Sequence, residues 1–345
     1  MEDKTIHMNP NEIFKSGLKK IQESDDIGVN IVMHHMPDPD SMASALGIQE
    51  LLKTENIESK IFYSGEISHP QNKTMVNLLG LDFKRIDEEL KDSFNICVDC
   101  TPKNSPCSNA FMVIDHHTNQ IKNVEFVIND SKFGACSTII FEILDSFNFE
   151  WDSNETLATG LLLGIRTDTK DLLSEAMHHR DFQAYQKLVN YVDKERVQKI
   201  MNYPVPRYVY DKRMMLLKES NFVEKNGIFI GGIEYIPSNQ RDVITILADD
   251  YLRMEGIHTT VIFCITDEKQ MEVSIRTSNS TLDVNQLCNS TFGQFGGGKI
   301  DKGGAKVPLN FWSNLNEDSK EYFWKMTCEQ MFKSILKEDY IKKEN

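Results

Sequence analysis

A chain of 345 residues, 40% hydrophobic and 26% charged, has the length for two globular domains and the composition of an ordinary folded protein. Its formal net charge of −14 excludes long nucleic acid held on a broad basic surface, which needs many Lys or Arg to displace counterions. Small anions stay open, because clustered carboxylates hold divalent cations and these supply local positive charge.

In chain order, Asn11 to Glu23 reads as a helix. GVNIVM, at 28–33, is a short run of β-branched and apolar residues that passes at once into HHMPDPDS, as a buried strand passes into a polar loop. SMASALGIQELLKTEN then has helical apolar spacing, with Ser41 or Asp40 as N-cap and Ala43, Ala45 and Gly47 small enough to pack closely on a sheet. KIFYSG and FNICVD read as further strands with helical segments between them, and AFMVIDHH is another apolar run ending in charged and imidazole residues. This β/α alternation predicts a parallel sheet, whose ligand sites form beyond the carboxyl ends of the strands, here at His34, Asp99 and Asp115. Helices are expected over Ala135 to Phe147, over Asn154 to Gly164 running into GIRTDTKD, and around His179 to Val192.

The texture changes at NYPVPRYVYDKR, where two prolines and several aromatics suit a connector. GIFIGGIEYI, TTVIFCITD and QMEVSIRT read as strands, with a helix near Asp242 to Glu255 among them, before a glycine-rich segment and a C-terminal helix. The expected fold class is α/β: a parallel-sheet domain at 1–193, a linker at 194–213 and a smaller mixed α/β domain at 214–345. The active site is expected in the cleft between the domains. No stretch approaches the roughly 20 apolar residues that span a bilayer, and MEDKTIHMNPNEIFKSGLKK lacks the apolar core of a secretory signal. A cytoplasmic location without a membrane partner is therefore expected. Seven cysteines without framework spacing point to reduced thiols, and Cys97 and Cys100, three apart on a strand, are expected in the core on opposite faces.

The chemistry concentrates in His34-His35-Met36-Pro37-Asp38-Pro39-Asp40, Asp99, Asp115-His116-His117 and Thr167-Asp168-Thr169. Three of these four groups follow a predicted strand. Taken singly, each is better read as a loop aspartate or a helix cap; together they supply the carboxylates and imidazoles that two manganese- or magnesium-type ions about 4 Å apart require. HxxPDxD, a lone aspartate after a strand, DHH and TDT, in that order, resemble the four motifs of the DHH superfamily of phosphoesterases. The resemblance implies two divalent ions, manganese or magnesium, one held by His34, Asp38 and Asp99 and the other by Asp40, Asp99, His116 and Asp168, with Asp99 bridging. It also implies that Asp115 orients His116, that His117 faces the substrate phosphate, and that the metal domain dimerises.

The segment FGQFGGGKIDKGGA mimics the start of a P-loop, but Ile300 stands where Ser or Thr is needed and no helix pattern follows directly. Gly296-Gly297-Gly298 and Gly303-Gly304-Ala305 resemble instead the substrate domain of the nano-RNase branch, as does SIRTSNSTLDVNQL. By that resemblance Arg276, Ser278, the three glycines and Lys299 contact substrate, with Lys299-Ile300 in place of the branch's Gly-His. A plain connecting loop is the alternative for the glycines. Arg166 and Lys170 bracket the TDT motif as anion contacts or as ordinary surface charges, and His178-His179-Arg180 reads as a solvated helix start. The expected function is a two-metal phosphoesterase acting on short oligonucleotides or small nucleotides, of nano-RNase exonuclease, nucleotide phosphatase or dinucleotide hydrolase type. The alternatives are an inorganic pyrophosphatase or exopolyphosphatase and a non-catalytic nucleotide-binding module.

Overall fold

The computed structural model of the chain describes residues 9–24, 28–90, 93–118, 120–218, 221–310 and 317–336. Two compact units divide it, Met1–Pro204 and Val205–Asn345. The first carries α1 (Pro10–Gln22), β1 (Val29–Val32), α2 (Pro39–Thr54), β2 (Ser59–Tyr63), α3 (Pro70–Leu79), β3 (Lys84–Arg85), β4 (Phe94–Val98), β5 (Met112–Asp115), β6 (Phe126–Asn129), α4 (Cys136–Ser146), α5 (Glu155–Asp168), α6 (His179–Leu188) and α7 (Lys194–Met201).

Its six strands pair in the order β3-β2-β1-β4-β5-β6, all in parallel. The central strands are apolar on both faces because both are covered. Ile31, Ile96, Val98, Met112 and Ile114 join the main core with α2, α4 and α5, while Val32, Cys97 and Val113 join a smaller cluster on the other face. The chain runs from β1 outward to β3, then returns to the centre as β4. At such a reversal of strand order the following loops diverge and leave a crevice, and here the loops after β1 and β4 flank it.

Local chemistry explains several departures from the sequence pattern. Asp38, one turn earlier than Ser41, caps α2 by accepting from Asp40 N and Ser41 N, because Pro39 takes the first helical position where no N–H is needed. Ala43 and Gly47 of α2 face helices instead of the sheet. A Cβ on Gly47 would stand 2.4 Å from Ile140 Cγ2 of α4, and Gly160 of α5 rests against Ala43. Helix α5 does not stop at Gly164 but carries the TDT motif to its last residue, Asp168. Beyond it Lys170, Asp171 and Leu172 all have left-handed backbone, which costs about 1–2 kcal/mol per residue and ends the helix sharply.

The second unit contains α8 (Arg207–Leu216), β7 (Phe222–Lys225), β8 (Ile228–Ile236), α9 (Val243–Tyr251), β9 (Thr259–Thr266), β10 (Gln270–Thr277), α10 (Val284–Phe292), β11 (Gly296–Gly298), β12 (Lys302–Pro308) and α11 (Glu317–Ile335). The stretch expected as a linker is thus mostly helical, with α7 and α8 on either side of the prolines. The sheet order is β11-β12-β10-β9-β8-β7, mixed because only β8 and β9 run in parallel. Alternate residues of β9 feed two cores: Val261, Phe263 and Ile265 meet α10 and α11, while Ile262 and Cys264 meet α8 and α9. The glycine-rich segment is not a loose connector, since Gly296, Gly297 and Gly298 pair with Ala305, Gly304 and Gly303. Among the described residues no helix is long and apolar enough to cross a membrane.

Candidate active site

The loops after β1, β4 and β5 and the last turn of α5 bring His34, Asp38, Asp40, Asp99, His116, His117 and Asp168 into one cluster in the first unit. Asp99 is its centre. It follows β4 in the left-handed region, φ +54°, and its backbone N–H donates to Ile114 O at 2.8 Å, so the chain turns abruptly and buries the carboxylate. The same turn overrides strand alternation. Cys97 and Cys100, expected on opposite faces, lie in one buried group with Cys107, and all seven cysteines are free and buried.

One Asp99 oxygen stands 3.7 Å from His34 Nε2, which is 3.6 Å from Asp38. The other stands 3.4 Å from His116 Nε2, which lies 3.3 Å from Asp168 and 3.9 Å from Asp40. Three overlapping donor sets result, His34/Asp38/Asp99, Asp99/His116/His117 and Asp40/His116/Asp168, each with its donor atoms within 4.8 Å of one another. Donor atoms around a common ion with bonds of about 2.1 Å are held roughly 3 Å apart, so these spacings are near those of coordination and beyond those of hydrogen bonds.

The two imidazoles are poised alike. His34 Nδ1–H donates to His35 O at 2.9 Å and His116 Nδ1–H to Phe133 O at 3.1 Å, which directs both Nε2 atoms at the carboxylates. Asp99 Oδ1 and His116 Nε2 are buried without a hydrogen bond, a costly condition that a divalent cation relieves. The residues present therefore fit hard divalent ions. Without an ion, burial works against a charge on His34, but Asp38 and Asp99 prevail and push its pKa up to about 10. Burial likewise opposes a charge on His116, yet Asp168, Asp99 and Asp40 push it up to about 11. Asp40 and Asp99 are both raised, first by burial and then by neighbouring carboxylates.

Asp40 has a second task. Its two oxygens accept from Cys136 N at 2.7 Å and Ser137 N at 2.8 Å, so a side chain of α2 caps the first turn of α4. Gly164 of α5 permits this approach: a Cβ there would lie 2.2 Å from Ser137 Oγ and 3.0 Å from Asp40 Cα. Sequence reasoning missed this contact, although GACST opens α4 without a capping side chain of its own.

The expected pairing of Asp115 with His116 needs correction. Asp115 Oδ1 accepts from His117 Nδ1 at 2.8 Å and from the backbone N–H groups of His116 and His117, so it fixes the ring of His117, while the Phe133 carbonyl holds that of His116. The physical reason is that the chain bends around Asp115 immediately after β5, and only the second imidazole can fold back onto it. Arg166 donates to Asp171 at 2.5 Å and is engaged there. His178 caps α6 in a capping box with Asp181, and Arg180 pairs with Glu142.

In the second unit, Arg276, Gly298 and Lys299 line a pocket of about 560 Å³. Ser278, Gly296 and Gly297 are not among its lining residues: Ser278 hydroxyl donates to His258 O, and Gly296 packs under Cys288. Sequence reasoning missed Ser274, Arg241, Lys302 and Lys306, which do line it. The period-2 alternation of QMEVSIRT was the available signal for Ser274.

Residues 28–165 match the DHH family, N-terminal domain. The chain is 31% identical over 336 residues to the uncharacterized protein MJ1633 of Methanocaldococcus jannaschii, covering 95% of this chain and 67% of that protein. It is 21% identical over 346 residues to MJ0988 of the same organism, also uncharacterized, covering 92% and 97%. The crystal structure of an exopolyphosphatase-related protein from Bacteroides fragilis superposes with a TM-score of 0.65 at 14% identity, over 95% of this chain and 98% of that one, a likeness of fold. The chain belongs to the DHH family.

Proposed function

We propose that the protein is a two-metal phosphoesterase that hydrolyses phosphodiester or phosphomonoester bonds of short oligonucleotides or small nucleotides. The observation that carries this reading is the sharing of Asp99 between two donor sets, with its Oδ1 and His116 Nε2 buried and unpartnered. His34, Asp38 and Asp99 hold one ion, and Asp40, Asp99, His116 and Asp168 the other. Manganese suits the mixed imidazole and carboxylate donors, and magnesium is compatible with the carboxylates. When bound, the ions acidify water and neutralise charge on the phosphoryl oxygens.

The chain's own residues do the positioning. Asp115 fixes the His117 tautomer by accepting from Nδ1, which leaves Nε2 on the half-buried ring for a substrate oxygen. The amide N–H groups of Cys136 and Ser137 hold the Asp40 carboxylate in place at the cluster. No covalent nucleophile is required.

The test is product release, with manganese and with chelator, from adenosine 3′,5′-bisphosphate, a ribodinucleotide, a five-nucleotide RNA, cyclic dinucleotides, pyrophosphate and polyphosphate. Manganese-dependent turnover of nucleotides, reduced by about 10²–10³-fold in Asp99→Ala, is the expected result, since removal of one preorganised group at a reacting centre costs roughly that much. Turnover of pyrophosphate or polyphosphate alone moves the protein to that class, and full activity in Asp99→Ala refutes the two-metal account.

A further inference from the structure

We propose that Arg241 and Lys306 form a second anion subsite in the pocket of the second unit, one that takes the remote phosphate of a nucleotide bearing two separate phosphate groups. The inference rests on the phosphoesterase reading and adds residues that fix which nucleotides fit.

Strand register builds the pocket. Residues 272, 274 and 276 of β10 share the face opposite Val273 and Ile275, which are buried in the core against α10. Across β12, Arg276 pairs with Lys302, Ser274 with Gly304 and Glu272 with Lys306. The face is therefore a ladder with Arg276 and Lys302 at one end, a rung of Ser274 and side-chain-free Gly304 in the middle, and Lys306 at the other end. Four residues along a strand separate the ends by about 13 Å of backbone. Lys299 adds a cation near the first end, and Arg241, just before α9, adds one at the second.

Five cations thus line this pocket, in a chain whose net charge is −14. Two carboxylates, Glu272 and Asp242, also line it. Glu272 is 3% exposed and lies 3.4 Å from Arg241 Nε, Asp242 is 4.0 Å from the same guanidinium, and one Glu272 oxygen is buried without a hydrogen bond. Glu272 is a positioning residue, holding Arg241 on the floor beside Lys306. The two cations still face one another: burial, then the charge of Arg241, lowers the pKa of Lys306, with Glu272, Glu268 and Asp242 acting in the opposite direction. An anion between Arg241 and Lys306 relieves that repulsion through charge-assisted hydrogen bonds. Phe295, 41% exposed on the pocket wall, offers a ring for a base, which an inorganic phosphate chain leaves unused.

The experiment is calorimetric titration of the full chain in EDTA with adenosine 5′-monophosphate, adenosine 3′,5′-bisphosphate and tripolyphosphate. The bisphosphate is expected to bind about tenfold or more tighter than the monophosphate, as one added charge-assisted contact implies. Lys306→Gln is expected to remove most of that advantage while the monophosphate affinity stays within about twofold. Arg241→Gln unpairs buried Glu272, so it is made together with Glu272→Gln, and the same loss is expected. A purely structural ion network lowers the melting temperature in these variants and leaves the ratio of affinities unchanged, which overturns the proposal. Equal affinity for the two nucleotides overturns it as well, and tighter binding of tripolyphosphate than of the bisphosphate overturns the nucleotide class. Because chelator is present throughout, these outcomes are independent of metal-dependent turnover, and either reading can fail without the other.

Discussion

Asp115 accepts three hydrogen bonds on one oxygen, two from backbone and one from the ring of His117, at a position that is fully buried. It belongs to none of the three donor sets, so its loss separates positioning from coordination. Asp115→Asn is expected to lower kcat by about 10–100-fold, the usual range for a residue that orients a working group, with manganese affinity largely retained. Equal loss of metal binding and turnover in that variant contradicts this division of labour. The same cluster sets a pH dependence in the metal-free protein. Folding raises His34 to about 10 and His116 to about 11, both above the ordinary 6.5. Their contribution to stability is fully present below pH 6.5 and is lost as pH rises toward 10 and 11. The melting temperature in EDTA is expected to fall across that interval, while the rise produced by manganese grows, because the ion displaces protons from both rings. Calorimetry in EDTA and in manganese at several pH values checks both slopes, and a flat profile in EDTA contradicts the assignment.

At the scale of elements, α2, α4 and α5 meet at Asp40, Ser137 and Gly164, and the catalytic geometry depends on how closely these helices approach. Gly164→Ala gains up to about 1 kcal/mol of helix propensity but overpacks a site with backbone 3.0 Å away, which typically costs about 1–3 kcal/mol. A net loss of stability, with weaker manganese binding as Asp40 is displaced, is the expected outcome of thermal melts and metal titration. Improved stability with unchanged metal affinity shows that the helices give way. Much of this level was legible. The apolar runs of β1, β4, β5, β8, β9 and β10 and the long helices announced themselves by periodicity. Strands β3 and β6 did not, since two exposed residues such as Lys84 and Arg85 carry no alternation to detect. Helix α5 outruns its sequence signal because TDT reads as polar loop, whereas the hydroxyls of Thr167 and of the C-cap Thr169 are satisfied on carbonyls of the preceding turn.

In the whole molecule, each unit has its own core: one main cluster from Phe14 to Ile200, and two others on either side of the second sheet. The donor cluster draws every residue from the first unit and the basic pocket every residue from the second. A fragment of residues 1–204 is therefore expected to fold and to gain thermal stability from manganese, yet to lose most nucleotide turnover. Full turnover by the fragment refutes a role for the second unit, and failure of the fragment to respond to manganese refutes a self-contained metal cluster. The sequence by itself determined the inventory: HxxPDxD, Asp99, DHH and TDT name the donors, because coordination chemistry restricts which side chains serve, and strand ends place them on one edge. Tertiary structure alone decided the partnerships. That Asp115 serves His117, that Asp40 caps a helix 96 residues away, and that Arg241 meets Glu272, the cross-strand partner of Lys306, follow from a left-handed turn, a reversed strand order and a cross-strand register. Such long-range juxtapositions leave no local periodicity, since each depends on where two distant segments pack and not on the residues beside either one.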